Sequence, residues 1–159
     1  MKLSKATLML KLVLALGAVA VAFVAFAGVP AYMGHVIHVR PDLAVWKFWM
    51  EAYGVLIALP VWAVIVILWF VFDTLPRNEA FTRRNQQRFR WITRLAGADT
   101  AIVAALWVFL IASGVTPPFI AMSMSLTLAA GVVAVIVFYV LGGLVGYAAD
   151  LKQDSELTI

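Results

Sequence analysis

Four long, unbroken stretches of apolar residues constrain this chain more than any other feature of its sequence. They run over residues 7–29, 52–72, 91–115 and 119–148. A helix needs about 20 mostly apolar residues to cross a hydrocarbon core of about 30 Å, and each stretch reaches that length. Transmembrane strands would alternate apolar and polar residues, whereas these runs are continuous and rich in Ala and Leu. The sequence therefore predicts an all-α integral membrane protein, a single domain built as a four-transmembrane-helix bundle.

Composition limits the chemistry that such a bundle can carry. Only 13% of the 159 residues are charged, and the chain has no cysteine, which excludes disulfides and thiolate chemistry. The sequence contains no Ser-His-Asp pattern, phosphate-binding loop or dinucleotide-binding fingerprint. We therefore expect a protein that is not an enzyme and that uses no cofactor.

Lysine and arginine lie mostly on one side of the predicted spans. The amino-terminal end, the second connection (residues 73–90) with the start of the third span, and the tail (residues 149–159) hold ten of them: Lys2, Lys5, Lys11, Arg77, Arg83, Arg84, Arg88, Arg90, Arg94 and Lys152. Only Arg40 and Lys47 lie on the other side. Because cytoplasmic loops retain Lys and Arg, we expect both termini to face the cytoplasm of a bacterial inner membrane. There the arginines meet anionic lipid head groups, at about 1 kcal/mol per basic residue.

The first span has two interpretations. Residues 1–27 combine a basic start, an apolar run and Ala25-Phe26-Ala27, a pattern that signal peptidase cuts. The run is longer than the roughly 7–15 apolar residues of a signal peptide, and Lys11 interrupts it. We expect the segment to remain as a membrane anchor rather than to be cleaved before Gly28.

The first connection, residues 30–51, is the only long segment predicted on the outer side. Trp46, Trp49 and Tyr53 follow one another at helical spacing and so share one helix face. Aromatic residues favour the boundary between membrane and water. The pattern predicts a short amphipathic helix that lies along the outer surface.

Two further features within the spans bear on helix packing. Pro60 lacks an amide hydrogen and should kink the second helix near its middle. Small residues recur four positions apart in the pairs Ala18 and Ala22, Ala101 and Ala105, Ala130 and Ala134, and Gly142 and Gly146. Such pairs let helices approach closely in lipid, either within one chain or between copies in a homo-oligomer.

Two ionisable residues lie within the apolar regions. Asp99 is a candidate functional residue because charge inside a membrane span is costly. It follows Arg94 by five residues, near the predicted cytoplasmic boundary, so we expect either a structural ion pair, in which Arg94 or Lys11 neutralises Asp99, or an interfacial carboxylate. A role for Asp99 in proton transfer is the alternative. Lys11 can also run its aliphatic stem through lipid and place its ammonium group at the interface.

Met33, His35 and His38 form an M-x-H-x-x-H pattern in the first connection. Imidazoles three positions apart share one helix face and can bind a transition metal, with the thioether favouring copper(I). Two histidines and a methionine are a common combination, so we expect ordinary connection residues and no metal. His35 and His38 remain the candidate ligands of the metal alternative.

The third span is preceded by the segment Phe81-Thr82-x-x-Asn85-x-x-Arg88-Phe89-Arg90-x-Ile92. It resembles the P-F-[ST]-x-x-N-x-x-[RK]-L-[RK]-x-I segment of the YoaS-like family of bacterial membrane proteins, a domain of unknown function. The ending Leu157-Thr158-Ile159 is similar to the close of that family's acidic tail. Ala80 and Phe89 replace the family's proline and leucine. The resemblance implies a four-span protein that is often encoded beside a small helix-turn-helix DNA-binding protein.

The same segment has a local physical interpretation. Thr82 should cap the extended third helix, with Asn85 reaching back as in a capping box. The segment then forms either an ordinary basic edge of the membrane domain or a docking surface for a cytoplasmic protein or the chain's own acidic tail. The candidate partner-binding residues are Phe81, Thr82, Arg84, Asn85, Arg88, Asp154 and Leu157.

Three functional hypotheses follow. We expect a regulatory or scaffolding membrane protein that binds a small cytoplasmic helix-turn-helix transcription regulator. Direct binding of nucleic acid is not expected, because lipid competes for the arginines and no base-reading module is present. A small transporter or pore subunit is the second hypothesis, although Ser113 and Thr127 are few polar residues for a transport site. A sensor of an outer ligand or metal, using His35 and His38, is the third.

Overall fold

The computed structural model describes residues 3–77, 79–112 and 118–157 and is helical almost throughout. The helices are α1 (Leu3–Phe23), α2 (Val29–Val39), α3 (Lys47–Phe72), α4 (Arg83–Ala112) and α5 (Pro118–Leu157). A π-helical turn, Val24–Gly28, joins α1 to α2, and 3-10 turns at Pro41–Trp46 and Leu75–Arg77 flank α3. The predicted turn at residues 116–118 lies mostly outside the described residues, as do Ser113 and the last two residues.

Four helical stretches are long and apolar enough to cross a membrane. They are Lys5–Val39, Pro41–Arg77, Arg83–Ala112 and Ala121–Asp154. The prediction of an all-helical chain with four such stretches is therefore confirmed. Helices α4 and α5 extend beyond their predicted apolar runs, since α4 begins at Arg83 and α5 continues to Leu157.

The first connection differs most from its prediction. α2 continues α1 to Val39, so the connection shrinks to Arg40 and the following 3-10 turn. Trp49 and Tyr53 belong to α3, and no separate amphipathic helix forms here. The chain remains helical through Pro30 because the π-helical turn precedes it, with the Val29 amide donating to the Val24 carbonyl. A proline at the start of a helix replaces an amide that would lack an intrahelical acceptor.

The helices pack on one another in chain order. α1 packs against α3, α3 against α4, and α4 most extensively against α5. Among the described residues, α1 and α5 share no comparable interface. The bundle is therefore open on one side, with α1 and α5 at its two edges.

A buried apolar core lies where α3 ends and α4 begins, beside what we call the arginine-rich end of the molecule (residues 73–90). Val71, Phe89 and Ile92 form this core. Side chains of α3 and α5 pack around this core: Val64, Ile67, Leu68, Phe72, Phe138 and Val145. The core therefore positions the first turns of α4 against two other helices.

Glycines on α5 allow its close approach to α4. A Cβ atom built on Gly131 would lie 2.5 Å from Thr100 Oγ1, and one on Gly142 would lie 3.1 Å from Phe89 Cβ. A Cβ atom on Gly146 would approach the Gln86 side chain more closely still. The predicted close approach at Gly142 and Gly146 is confirmed, and the surface that they meet is α4 of the same chain.

Candidate functional site

The connection between α3 and α4 is folded around the side chain of Asn85, which is 0% exposed. Its Nδ2 group donates hydrogen bonds to Thr74 Oγ1 at 2.7 Å, to the Ala80 carbonyl at 3.0 Å and to the Glu79 carbonyl at 3.3 Å. Thr74 Oγ1 in turn donates to the Val71 carbonyl at 2.6 Å. The side-chain amide of Asn85 thus bonds to Thr74 at the start of the connection and to Glu79 and Ala80 near its end.

Arg88 links this network to the end of α3. Its guanidinium donates to Asn85 Oδ1 at 2.8 Å and to the Phe70 carbonyl at 3.0 Å. The last four carbonyls of a helix lack intrahelical donors, and a cation there is favourable. Arg88 therefore caps α3 from the side of α4, and its guanidinium also lies over the Phe70 ring, 5.8 Å from the centroid.

Thr82 caps α4 as predicted, because its Oγ1 accepts a hydrogen bond from the backbone N–H of Asn85 at 3.3 Å. The Asn85 side chain does not bond back to Thr82, as it would in a capping box. It turns away from Thr82 toward Thr74, whose hydroxyl lies closer to the core. Asn85 is therefore inside the protein rather than on a surface that a partner could touch, and Thr82 and Arg88 serve the same internal network.

Sequence reasoning did not anticipate the parts played by Thr74 and Asp73. Both follow α3 directly, in the segment Asp73-Thr74-Leu75-Pro76. This composition indicates a turn, but it does not indicate where a hydroxyl or a carboxylate will point. Asp73 pairs with Lys11 of α1, and Thr74 accepts a hydrogen bond from Asn85 of α4, so no local pattern could have identified these two roles.

Two of the predicted partner-binding residues remain at the surface of the arginine-rich end. Phe81 is 55% exposed, and Arg84 is exposed on the first turn of α4. The neighbouring Arg83 forms an ion pair with Asp150 of α5 at 2.5 Å. The predicted contact between the arginines and the chain's own acidic tail thus occurs, at Asp150.

The end of α5 completes this surface. Asp154 is exposed near the end of α5, and Leu157 is the last residue of the helix. The ion pair between Arg83 and Asp150 brings the start of α4 beside the last turns of α5. We call Phe81 and Arg84 together the platform.

Lys11 joins α1 to the same end of the molecule. Its ammonium group forms an ion pair with Asp73 and lies 4.9 Å from the centroid of the Trp69 ring. Both partners stand at the end of α3, and Asp73 is 62 residues from Lys11 along the chain. The prediction that Lys11 neutralises Asp99 is wrong, because Lys11 pairs with Asp73 instead.

Asp99 lies in the middle of α4 rather than near its end. It is sixteen positions after Arg83, or about 24 Å at 1.5 Å per residue. The Arg94 guanidinium lies over Trp91, 5.4 Å from the ring centroid, and the structure gives Asp99 no ion pair among the described residues. The prediction that Arg94 neutralises Asp99 is therefore wrong as well.

A cavity of about 180 Å³ lies beside Asp99, between α3, α4 and α5. Its walls include Pro60, Val64, Thr100, Gly131 and Phe138. Asp99 Oδ1 is buried and has no hydrogen-bond partner among the described residues. The cavity is thus almost wholly apolar and contains one carboxylate oxygen that lacks a donor.

A larger cavity, of about 390 Å³, lies between α1, the π-helical turn and α3. Val21, Ala25, Gly54, Ala58 and Val61 are among its lining residues, all of them apolar or glycine. It offers no side-chain hydrogen-bonding group, so only hydrocarbon suits it.

The remaining candidates within the spans do not form a polar site. Pro60 lies inside α3, which remains helical on both sides of it, and the kink stays a prediction. Thr127 is exposed and donates to the Ser123 carbonyl of its own helix at 2.9 Å. Neither residue adds a polar group to the cavity beside Asp99.

The M-x-H-x-x-H pattern is divided between two faces of α2. Met33 is 4% exposed and points into the protein, whereas His35 and His38 are exposed. No group of three or more His, Cys, Asp or Glu side chains suited to a metal ion occurs in the described part of the chain.

Beyond α2, a hydrogen bond to Asp42 raises the pKa of Arg40 above its ordinary value.

The comparisons with known proteins point to one family. Residues 29–159 match the family described as a protein of unknown function (DUF2975). Neither the curated proteins nor the solved structures contain a significant match. The matched region includes both the Asn85 network and the cavity beside Asp99. The chain therefore belongs to the DUF2975 family, whose function is unknown.

Proposed function

We propose that this protein is a non-enzymatic regulator or scaffold of the YoaS-like type in the bacterial cytoplasmic membrane. Both termini lie in the cytoplasm, and the platform binds a small cytoplasmic helix-turn-helix transcription regulator. The observation that carries this proposal is Phe81, an aromatic side chain that is 55% exposed on a connection held rigid by buried Asn85.

The platform has the composition of an interface. Aromatic and arginine residues supply most of the binding energy at protein interfaces, and Phe81 and Arg84 lie three positions apart. The hydrogen bonds of Asn85 order the connection before any partner arrives, so little conformational entropy is lost on binding. A rigid aromatic residue beside a cation therefore suits a specific partner better than a mobile loop would.

The charge of this end defines the partner's surface. Arg84 is exposed, whereas Arg83 and Arg88 are engaged with Asp150 and Asn85. Opposite charges across an interface steer association and set its specificity. The regulator should therefore present an acidic face with an apolar pocket for Phe81, which leaves its basic DNA-binding face free.

Substituting Phe81→Ala and Arg84→Glu together should reduce binding of the regulator at least tenfold, because both anchors are lost while the Asn85 network remains. The measurement is co-purification in mild detergent with a helix-turn-helix protein from the neighbouring reading frame, where the family resemblance leads us to expect one, co-expressed with the full chain. Arg90→Glu is the matched control, since it makes the same charge change on a different face of α4. Equal recovery of the regulator with both variants would rule out the platform as the binding surface.

The proposed sidedness has its own test, since the chain contains no cysteine. In intact cells, a membrane-impermeant maleimide should label Arg40→Cys and leave Arg84→Cys unlabelled until the membrane is permeabilised. Both positions are exposed in the structure, so access to reagent depends on the side of the membrane. Labelling of position 84 in intact cells would place the platform outside and end the proposal.

A further inference from the structure

Asp99 and its cavity lie far from the platform and play no part in the proposed regulator binding. We propose that this cavity binds one small organic ammonium ion, an amine the size of benzylamine, whose charge Asp99 neutralises. The proposal stands independently of the function proposed for the platform.

A charged carboxylate at Asp99 is stabilised by a cationic partner. A carboxylate away from water is costly unless it is paired and hydrogen-bonded. The two cations predicted to pair with Asp99 are engaged elsewhere, Lys11 with Asp73 and Arg94 over the Trp91 ring. The hydroxyl group of Tyr53, which faces Asp99 from α3, donates to the Ile102 carbonyl. A bound cation would complete the site.

The size of the cavity sets the size of the ligand. An engineered apolar cavity of about 150 Å³ in another protein binds benzene. The cavity beside Asp99, at about 180 Å³, offers slightly more room and one carboxylate oxygen. A six-membered ring with a short ammonium arm matches both the volume and the charge.

The lining of the cavity selects an organic cation over a metal ion. Hard cations such as Ca²⁺ take about six to eight oxygen ligands, and Mg²⁺ keeps several of its waters. The described walls provide one carboxylate among side chains such as Val64 and Phe138. An ammonium group, by contrast, needs one counter-ion and a few acceptors. Apolar walls then favour an apolar ligand body.

The test uses the purified full-length chain in an uncharged detergent, with benzylamine as the ligand and benzyl alcohol as a neutral compound of the same shape. Isothermal titration calorimetry should show saturable binding of benzylammonium, at least tenfold tighter than binding of benzyl alcohol. This comparison needs no variant. Equal affinity for the two compounds, or no binding of benzylammonium, would overturn the proposal.

Two variants locate the site. Asp99→Asn should weaken benzylammonium binding at least tenfold and leave benzyl alcohol binding unchanged, because it removes the charge and keeps the shape. Ala134→Leu, in the cavity wall, should abolish binding of both compounds while Asp99 remains. Benzylammonium binding that is unchanged in both variants would show that the amine binds elsewhere and would refute the site.

Discussion

Replacing Asn85 by Ala should destabilise the protein by about 2–4 kcal/mol. The substitution removes the donors to Thr74 Oγ1 and the Ala80 carbonyl and also removes the acceptor of Arg88. Each buried polar group left without a partner costs about 1–3 kcal/mol. Water can reach the exposed Glu79, so its carbonyl adds little to this total.

Two measurements check this prediction. Thermal unfolding in detergent, followed by tryptophan fluorescence, should show a clearly lower midpoint for Asn85→Ala than for the exposed control Gln87→Ala. Hydrogen exchange should accelerate at the Arg77 and Glu79 amides, both of which donate to the Thr74 carbonyl. Identical melting and exchange in the two variants would mean that the network does not stabilise the connection.

Adding a single methyl group to Gly131 should destabilise the protein by about 1–3 kcal/mol, the usual cost of overpacking. The new Cβ would lie 2.5 Å from Thr100 Oγ1 and 3.2 Å from Thr100 Cγ2. Thr100 cannot easily yield, because its side chain is β-branched and its hydroxyl donates to the Ala96 carbonyl at 2.7 Å. Relief therefore requires α4 and α5 to move apart.

The control for this prediction lies on the same helix. A Cβ on Gly143 meets nothing within 4 Å, so Gly143→Ala should leave stability unchanged or raise it by up to about 1 kcal/mol through helix propensity. Thr100→Ala should restore the stability of Gly131→Ala, because the nearest remaining atom, Thr100 Cβ, is 3.4 Å away. A double-mutant cycle that shows no coupling between the two positions would contradict the packing argument.

The Asn85 prediction separates two roles within the segment from Phe81 to Ile92. The segment from Phe81 to Ile92 resembles a family motif, and its asparagine performs a structural task in this protein. Asn85 holds the connection in one conformation, and Phe81 and Arg84 are the residues that this conformation presents. Changes at Asn85 should therefore affect binding through loss of structure, whereas changes at Phe81 and Arg84 should affect it directly.

Much of the fold follows from local properties and is predictable from the sequence. An apolar run of about 20 residues satisfies its backbone only as a helix in lipid, so four runs predict four spanning helices. Thr82 caps α4 by bonding to an amide three residues away, which is also a local event. The close approach at Gly142 and Gly146 follows from their spacing and lack of side chains.

The sequence by itself thus determined the helical class, the number of apolar spans, the cap at Thr82 and the concentration of arginine at one end. Only the tertiary structure decided that Asn85 points inward to Thr74, that Lys11 pairs with Asp73 and that Asp99 lies beside Pro60. These pairings depend on the depth and rotation of each helix against its neighbours. Contacts such as Gly131 against Thr100 set that depth and rotation, and spacing along one helix does not encode them.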